Sequence, residues 1–148
     1  MTIRLPGSET TLKLKRTFAA PREKVFQAWT RPELLSRWLG GAQTSALRAE
    51  IDLQVGGRYR LEINSPSGDP VFVIGTYQEI TAPEKLIFTW AFESQADEQP
   101  ETLVTVAFVQ RGDETEVILQ HERFENAAAR DLHTEGWLLC FDRLLDLL

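Results

Sequence analysis

The stretch NAAARDLHTEGWLLCFDRLLDLL, Asn126–Leu148, decides the fold. Apolar residues recur in it at Leu132, Gly136, Leu139, Cys140, Leu144 and Leu147, the i, i+3, i+4 spacing of an amphipathic helix. Trp137, Phe141, Leu145 and Leu148 widen the stripe, and Arg130, Asp131, Glu135, Asp142 and Asp146 supply a polar side. Asn126 can cap the first turn, and the three alanines after it are strong helix formers. Gly136 sits inside the pattern at about 1 kcal/mol relative to alanine. It reads first as a point of close approach to a strand, and second as room for a ligand. A helix this long needs a broad concave partner for its apolar face, and a sheet curved around a helix tends to leave a cavity between them.

Working outward, the preceding chain reads as strands. Thr11 to Phe18 alternates and ends at Pro21. Two short helices follow, Arg22 to Thr30 with Val25, Phe26 and Trp29 inward, and Glu33 to Leu39 with Leu34, Leu35 and Trp38 inward; Gly40-Gly41 closes the second. Further strands are predicted over Leu47 to Leu53, Gly57 to Asn64, Val71 to Ile80, Lys85 to Phe92, Glu101 to Gln110 and Thr115 to Glu122. Turn-rich segments separate them, notably Ser65 to Pro70 and Arg111 to Glu114. The prediction is an α+β architecture: a curved antiparallel sheet of about seven strands wrapped on a long C-terminal helix, with two short helices after strand 1. Residues 1–148 read as a single domain, with about the first ten residues loosely ordered.

Composition narrows the function. A net charge of −6 argues against nucleic acid, whose phosphates need a basic patch, and reads as solubility. No apolar run is long enough to span a membrane, and Met1 to Glu9 lacks the apolar core of a secretory signal. The lone cysteine rules out an internal disulfide and fits a reducing, cytoplasmic setting. No nucleophile elbow, Walker loop or dinucleotide fingerprint is present, so no cofactor is expected.

Several segments resemble, in order, a known family. The run RTFAAPREKVFQAW (16–29) resembles the opening of the family named after the activator of the heat-shock protein 90 ATPase. RPELLSRW (31–38), VGGRY (55–59), GTYQEI (75–80), LIFTW (86–90), HERF (121–124) and Gly136-Trp137 fall where that family carries similar runs. The resemblance covers about Leu12 to Leu148. It implies the helix-grip fold of the wider superfamily of START domains, polyketide cyclases and birch-pollen-type allergens. It also implies a cavity for a small apolar or amphipathic molecule, without fixing one activity. The family's namesake is a cochaperone with a further N-terminal domain, for which this chain has no room, so a small molecule is expected as partner before a chaperone.

Within that frame the inward aromatics Trp38, Tyr59, Tyr77, Trp90, Phe92 and Phe108 are expected to line a pocket opposite Trp137, Cys140 and Phe141. Each taken singly reads as core filling; the curvature of the sheet favours a pocket for the set. Tyr59 and Tyr77 carry hydroxyls that need partners if buried. His121, inward near the end of the last strand, is the one candidate general base, against the plainer reading of a structural histidine bonded to the backbone. His133 and Cys140 share a helix face and with His121 would make a three-ligand set, but the spacing is unspecific and no metal is expected. Cys140 reads as an inert core thiol. Three readings stay open: ligand binding, an enzyme of cyclase, hydratase or hydrolase type using His121 with a tyrosine, and a chaperone-interacting module. Non-catalytic binding is the first of them, and a homodimer would not discriminate among the three.

Overall fold

The structure is a computed structural model that describes residues 1–40, 48–64 and 67–148. The described residues form eight strands and three helices. The strands are β1 (Ile3–Ser8), β2 (Thr11–Phe18), β3 (Arg48–Ile51), β4 (Arg58–Asn64), β5 (Pro70–Thr81), β6 (Lys85–Phe92), β7 (Thr102–Arg111) and β8 (Glu114–Glu122). The helices are α1 (Arg22–Thr30), α2 (Pro32–Leu35) and α3 (Ala127–Leu147). The strands make one curved antiparallel sheet in the order β1-β2-β8-β7-β6-β5-β4-β3, the helix-grip arrangement around α3. The expected ends of the second short helix at Gly41 and of the third strand at Leu47, and the turn residues Ser65-Pro66, lie outside the described residues.

Most pairings join neighbours in sequence; the exception is β2 with β8. Strands β2 and β4 to β8 alternate, so one face is apolar. Leu12, Leu14 and Phe18 of β2, Val117 and Leu119 of β8, Val104, Val106 and Phe108 of β7, and Leu86, Phe88 and Trp90 of β6 are all buried. Gly75 has no room for a Cβ, which would meet the Thr89 carbonyl and the Tyr59 hydroxyl. The Tyr59 ring therefore lies across β5 and its hydroxyl donates to the Thr89 carbonyl of β6.

Two features depart from the sequence expectation. Ile3–Ser8, read as a loose lead-in, pairs with β2 as an edge strand, which raises the strand count to eight and puts the short helices after the second strand. The buried line of α3 is also rotated. It runs through Thr134, Trp137, Cys140, Phe141 and Leu144, while Leu132, Leu139 and Leu145 are exposed. The physical reason is that aromatic volume outweighs leucine count: Trp137 and Phe141 take the groove between Trp29 and Phe18. Asn126 caps the helix as expected, its Oδ1 accepting from the Ala129 N–H at 2.9 Å.

Gly136 is not a point of close approach, since a Cβ there would meet nothing within 4 Å. Gly136→Ala is expected to stabilise the protein by about 0.5–1 kcal/mol, read as a higher melting temperature. A second expectation concerns Arg16, 7% exposed on the inward face of β2, whose Nη1 meets Asp142 of α3 at 2.7 Å. Asp142→Ala leaves that guanidinium without its carboxylate and is expected to destabilise by about 1–2 kcal/mol in urea unfolding. Glu135→Ala, which removes only the exposed Arg4 pair, should change stability by less than about 0.5 kcal/mol.

Candidate functional site

The alternation of β6 sends Phe88, Trp90 and Phe92 to the inner face, and Phe92 sits where the strand breaks into the turn Glu93–Gln95. Facing it, the chain leaves β8 through Arg123, which adopts φ 74°, the left-handed region that L-residues enter at about 1–2 kcal/mol. That kink buries Phe124 against the sheet end, its N–H donating to the Thr10 carbonyl at 3.0 Å, and leaves Arg123 exposed at the rim. The first turns of α3 bring up Ala129, Leu132 and His133. These walls, with Pro100 from the β6–β7 connection and Thr102 at the start of β7, border a cavity of about 450 Å³.

His133 is fixed by a hydrogen bond at 2.9 Å between its Nδ1–H and the Ala129 carbonyl. Its Nε2 in the neutral ring is therefore an acceptor, on a side chain that lines the cavity. Behind it lies His121, completely buried, with ring centroids 5.3 Å from His133 and 4.3 Å from Phe124. The Trp137 indole donates to His121 Nδ1 at 3.1 Å. Because an indole N–H only donates, the imidazole proton is on Nε2, which donates to Thr102 Oγ1 at 2.7 Å. The Thr102 hydroxyl in turn donates to the Trp90 carbonyl at 2.9 Å. Both nitrogens of His121 are thus committed in one chain that ties α3, β8, β7 and β6.

The residues expected to form one pocket are divided by the structure. Trp90 and Phe92 line the 450 Å³ cavity. Tyr59, Tyr77 and Trp90 line a small space of about 20 Å³ between sheet and helices, enough for about one water molecule. Trp38, Phe108, His121, Trp137, Cys140 and Phe141 are packed in the core. The Trp38 indole donates to the Ala28 carbonyl at 2.9 Å, and the Cys140 thiol points to the Gly40 carbonyl at 3.6 Å. Among the described residues the side chains beneath α3 are closely packed, and the 450 Å³ cavity opens at the end of the sheet, beside the helix N-terminus. Of the lining residues sequence reasoning selected Trp90 and Phe92 for the pocket; Phe124, Leu132 and His133 are among those it did not.

The profile of the activator of Hsp90 ATPase homolog 1-like protein family matches residues 19–148. The chain belongs to that family. Among solved structures, a Rhodobacter sphaeroides protein is similar at 24% identity, over 99% of this chain and 97% of its own, with a TM-score of 0.85. A Nitrosomonas europaea protein is similar at 25% identity, over 97% and 96%, with a TM-score of 0.81. An HSP90 activator from Plasmodium falciparum is similar at 27% identity, over 86% and 87%, with a TM-score of 0.68. No match was found among curated protein sequences. No helix among the described residues is long and apolar enough to cross a membrane.

In this member of the Hsp90 ATPase activator-like family the histidines are neutral by construction. Burial, and secondarily the neighbouring His133, hold His121 well below the ordinary imidazole value. Burial likewise lowers His133, partly offset by its bond to Ala129. Burial raises Tyr59 and Tyr77 above the ordinary phenol value, so both keep their protons at neutral pH. The unfolded chain takes up imidazole protons near pH 6.5 that the fold excludes. Stability from these two groups is therefore complete above about pH 6.5 and declines as pH falls below it. The urea midpoint is expected to drop between pH 7 and pH 5.5, with a shallower drop in His133→Gln; equal slopes in the two proteins would exclude His133 as a contributor.

Proposed function

We propose that this protein binds a small amphipathic molecule in the 450 Å³ cavity at the end of the sheet. The apolar body of the ligand packs on Trp90, Phe92, Phe124 and Leu132, and its polar group meets His133 Nε2 and the Arg123 guanidinium at the rim. The observation that carries this reading is the cavity itself: its volume falls in the range of small-molecule sites, and its walls combine aromatic surface with a few polar groups. Burial of apolar area at about 25 cal/mol per Å² supplies the affinity. A reducing cytoplasmic setting fits the single, buried thiol.

Catalysis by a histidine and tyrosine pair has little support. His121 is fully buried and doubly hydrogen-bonded, and the Tyr59 proton is committed to Thr89. Among the described residues His133 lines the outer cavity without a tyrosine, while Tyr59 and Tyr77 line the inner space without a histidine. A chaperone contact rests on the family description and the Plasmodium activator. Leu132 and Leu139, exposed seven residues apart on α3, would be its natural surface.

The test uses 1-anilinonaphthalene-8-sulfonate, an apolar ring system with one anionic group. Saturable fluorescence enhancement is expected, weakened about tenfold in Phe92→Ala and in Leu132→Asp. Affinity unchanged in both variants would remove the site assignment.

A further inference from the structure

Trp90 is the residue that two spaces share: it lines both the outer cavity of about 450 Å³ and the small inner space of about 20 Å³. It is also one of two tryptophans whose buried indole N–H has no hydrogen-bond partner among the described residues; the other, Trp29, lines the same inner space. Their companions Trp38 and Trp137 both donate, to Ala28 and to His121. A buried donor left unpaired is unfavourable, and native proteins rarely tolerate one without a reason. Here the two residues that carry such donors line one small space.

We propose that Trp90 is a movable partition, and that the molecule which displaces it is a neutral apolar compound carrying a carbonyl-type oxygen that accepts from the Trp29 and Trp90 indoles. This rests on the outer cavity being the ligand's entrance. The adjoining empty volume gives the Trp90 side chain somewhere to turn, whereas the interior around it is packed by Trp137 and His121, with ring centroids at 5.4 and 5.7 Å. The chemistry of the inner walls selects the ligand. They are Trp29, Tyr59, Tyr77, Phe88 and Trp90 with three leucines, and none of them is cationic. A carboxylate drawn in would be desolvated without a counter-charge, which is strongly unfavourable. A ketone, quinone or ester carbonyl accepts from the indoles and asks for nothing in return.

The experiment compares benzophenone with diphenylmethane, the same skeleton without the oxygen. Affinity is measured by titration calorimetry, and the four indole N–H resonances, assigned with Trp→Phe variants, are followed by ¹⁵N NMR. Benzophenone is expected to bind about five- to tenfold more tightly. It should shift the Trp29 and Trp90 indole signals, and its advantage should shrink in Trp90→Phe and Trp29→Phe. Equal binding of the two probes, with shifts confined to Phe124, Leu132 and His133, would overturn the partition and leave the outer site standing. Binding of neither would overturn both.

Discussion

Everything in this protein hangs on the pairing of β2 with β8. Leu12 faces His121 and Phe18 faces Thr115 in an unbroken antiparallel ladder, joining the start of the chain to the end of the meander. A two-stranded contact of such sequence separation is entropically expensive to close, so it must be held from the side as well as by its own bonds. The Thr115 hydroxyl donates to the Ala20 carbonyl at 2.7 Å, fixing the exit from β2 into α1. At the same level Arg16 reaches α3 through Asp142. The helices α1 and α2 then cross the open side, and β8 delivers α3 onto the face that β2 has completed. The cavity at the sheet end exists because the β8–α3 connection leaves at that edge, with Arg123 in a left-handed conformation to turn the chain.

Much of this was legible because alternation is a strong signal. The strand β6 was readable residue by residue, and so was the shared inward face of Val117, Leu119 and His121 in β8. The phase of α3 was harder. The apolar spacing put Leu132 and Leu139 in one stripe with Cys140 and Leu144, yet the first two are exposed and the last two buried. Two large rings, Trp137 and Phe141, decided which side of the helix turns inward, since each buries more area than a leucine. Threonine also passes as polar in a pattern, yet Thr134 is buried because its hydroxyl bonds back to the Arg130 carbonyl at 2.9 Å. The edge strand β1 was invisible for a related reason: its residues are mostly exposed, so no apolar period marks it, and its order comes from β2 and from contacts with α3 such as Arg4 to Glu135.

The site was less legible than the fold. Its floor, Trp90 and Phe92, belongs to a strand with a clear period. Its roof is made of the first turns of α3 and a connection whose sequence carries no period at all. His121 drew attention because it points inward, but inward on this sheet means buried, and its two nitrogens are consumed by Trp137 and Thr102. His133 differs from it in one respect that matters. The helix backbone takes only one of its nitrogens, so the other remains available. That distinction depends on which groups lie four residues back and across the helix, and no spacing rule distinguishes a histidine so placed from one that is merely solvated.

A nearly full interior is compatible with a binding role if the filling is conditional. Suppose the partition at Trp90 is closed in the free protein. A ligand that needs it open then binds with its intrinsic affinity reduced by the fraction of molecules already open. That penalty is offset when the closed state carries a defect that the open, occupied state repairs, and two unpaired indole donors are such a defect. The same arrangement confers discrimination. A purely apolar molecule can occupy the outer cavity, but it gains nothing at the donors and leaves the partition shut. A charged one loses more in desolvation than the indoles return. Selectivity would then reside less in the shape of the cavity than in an acceptor for Trp29 and Trp90, which none of the described residues supplies.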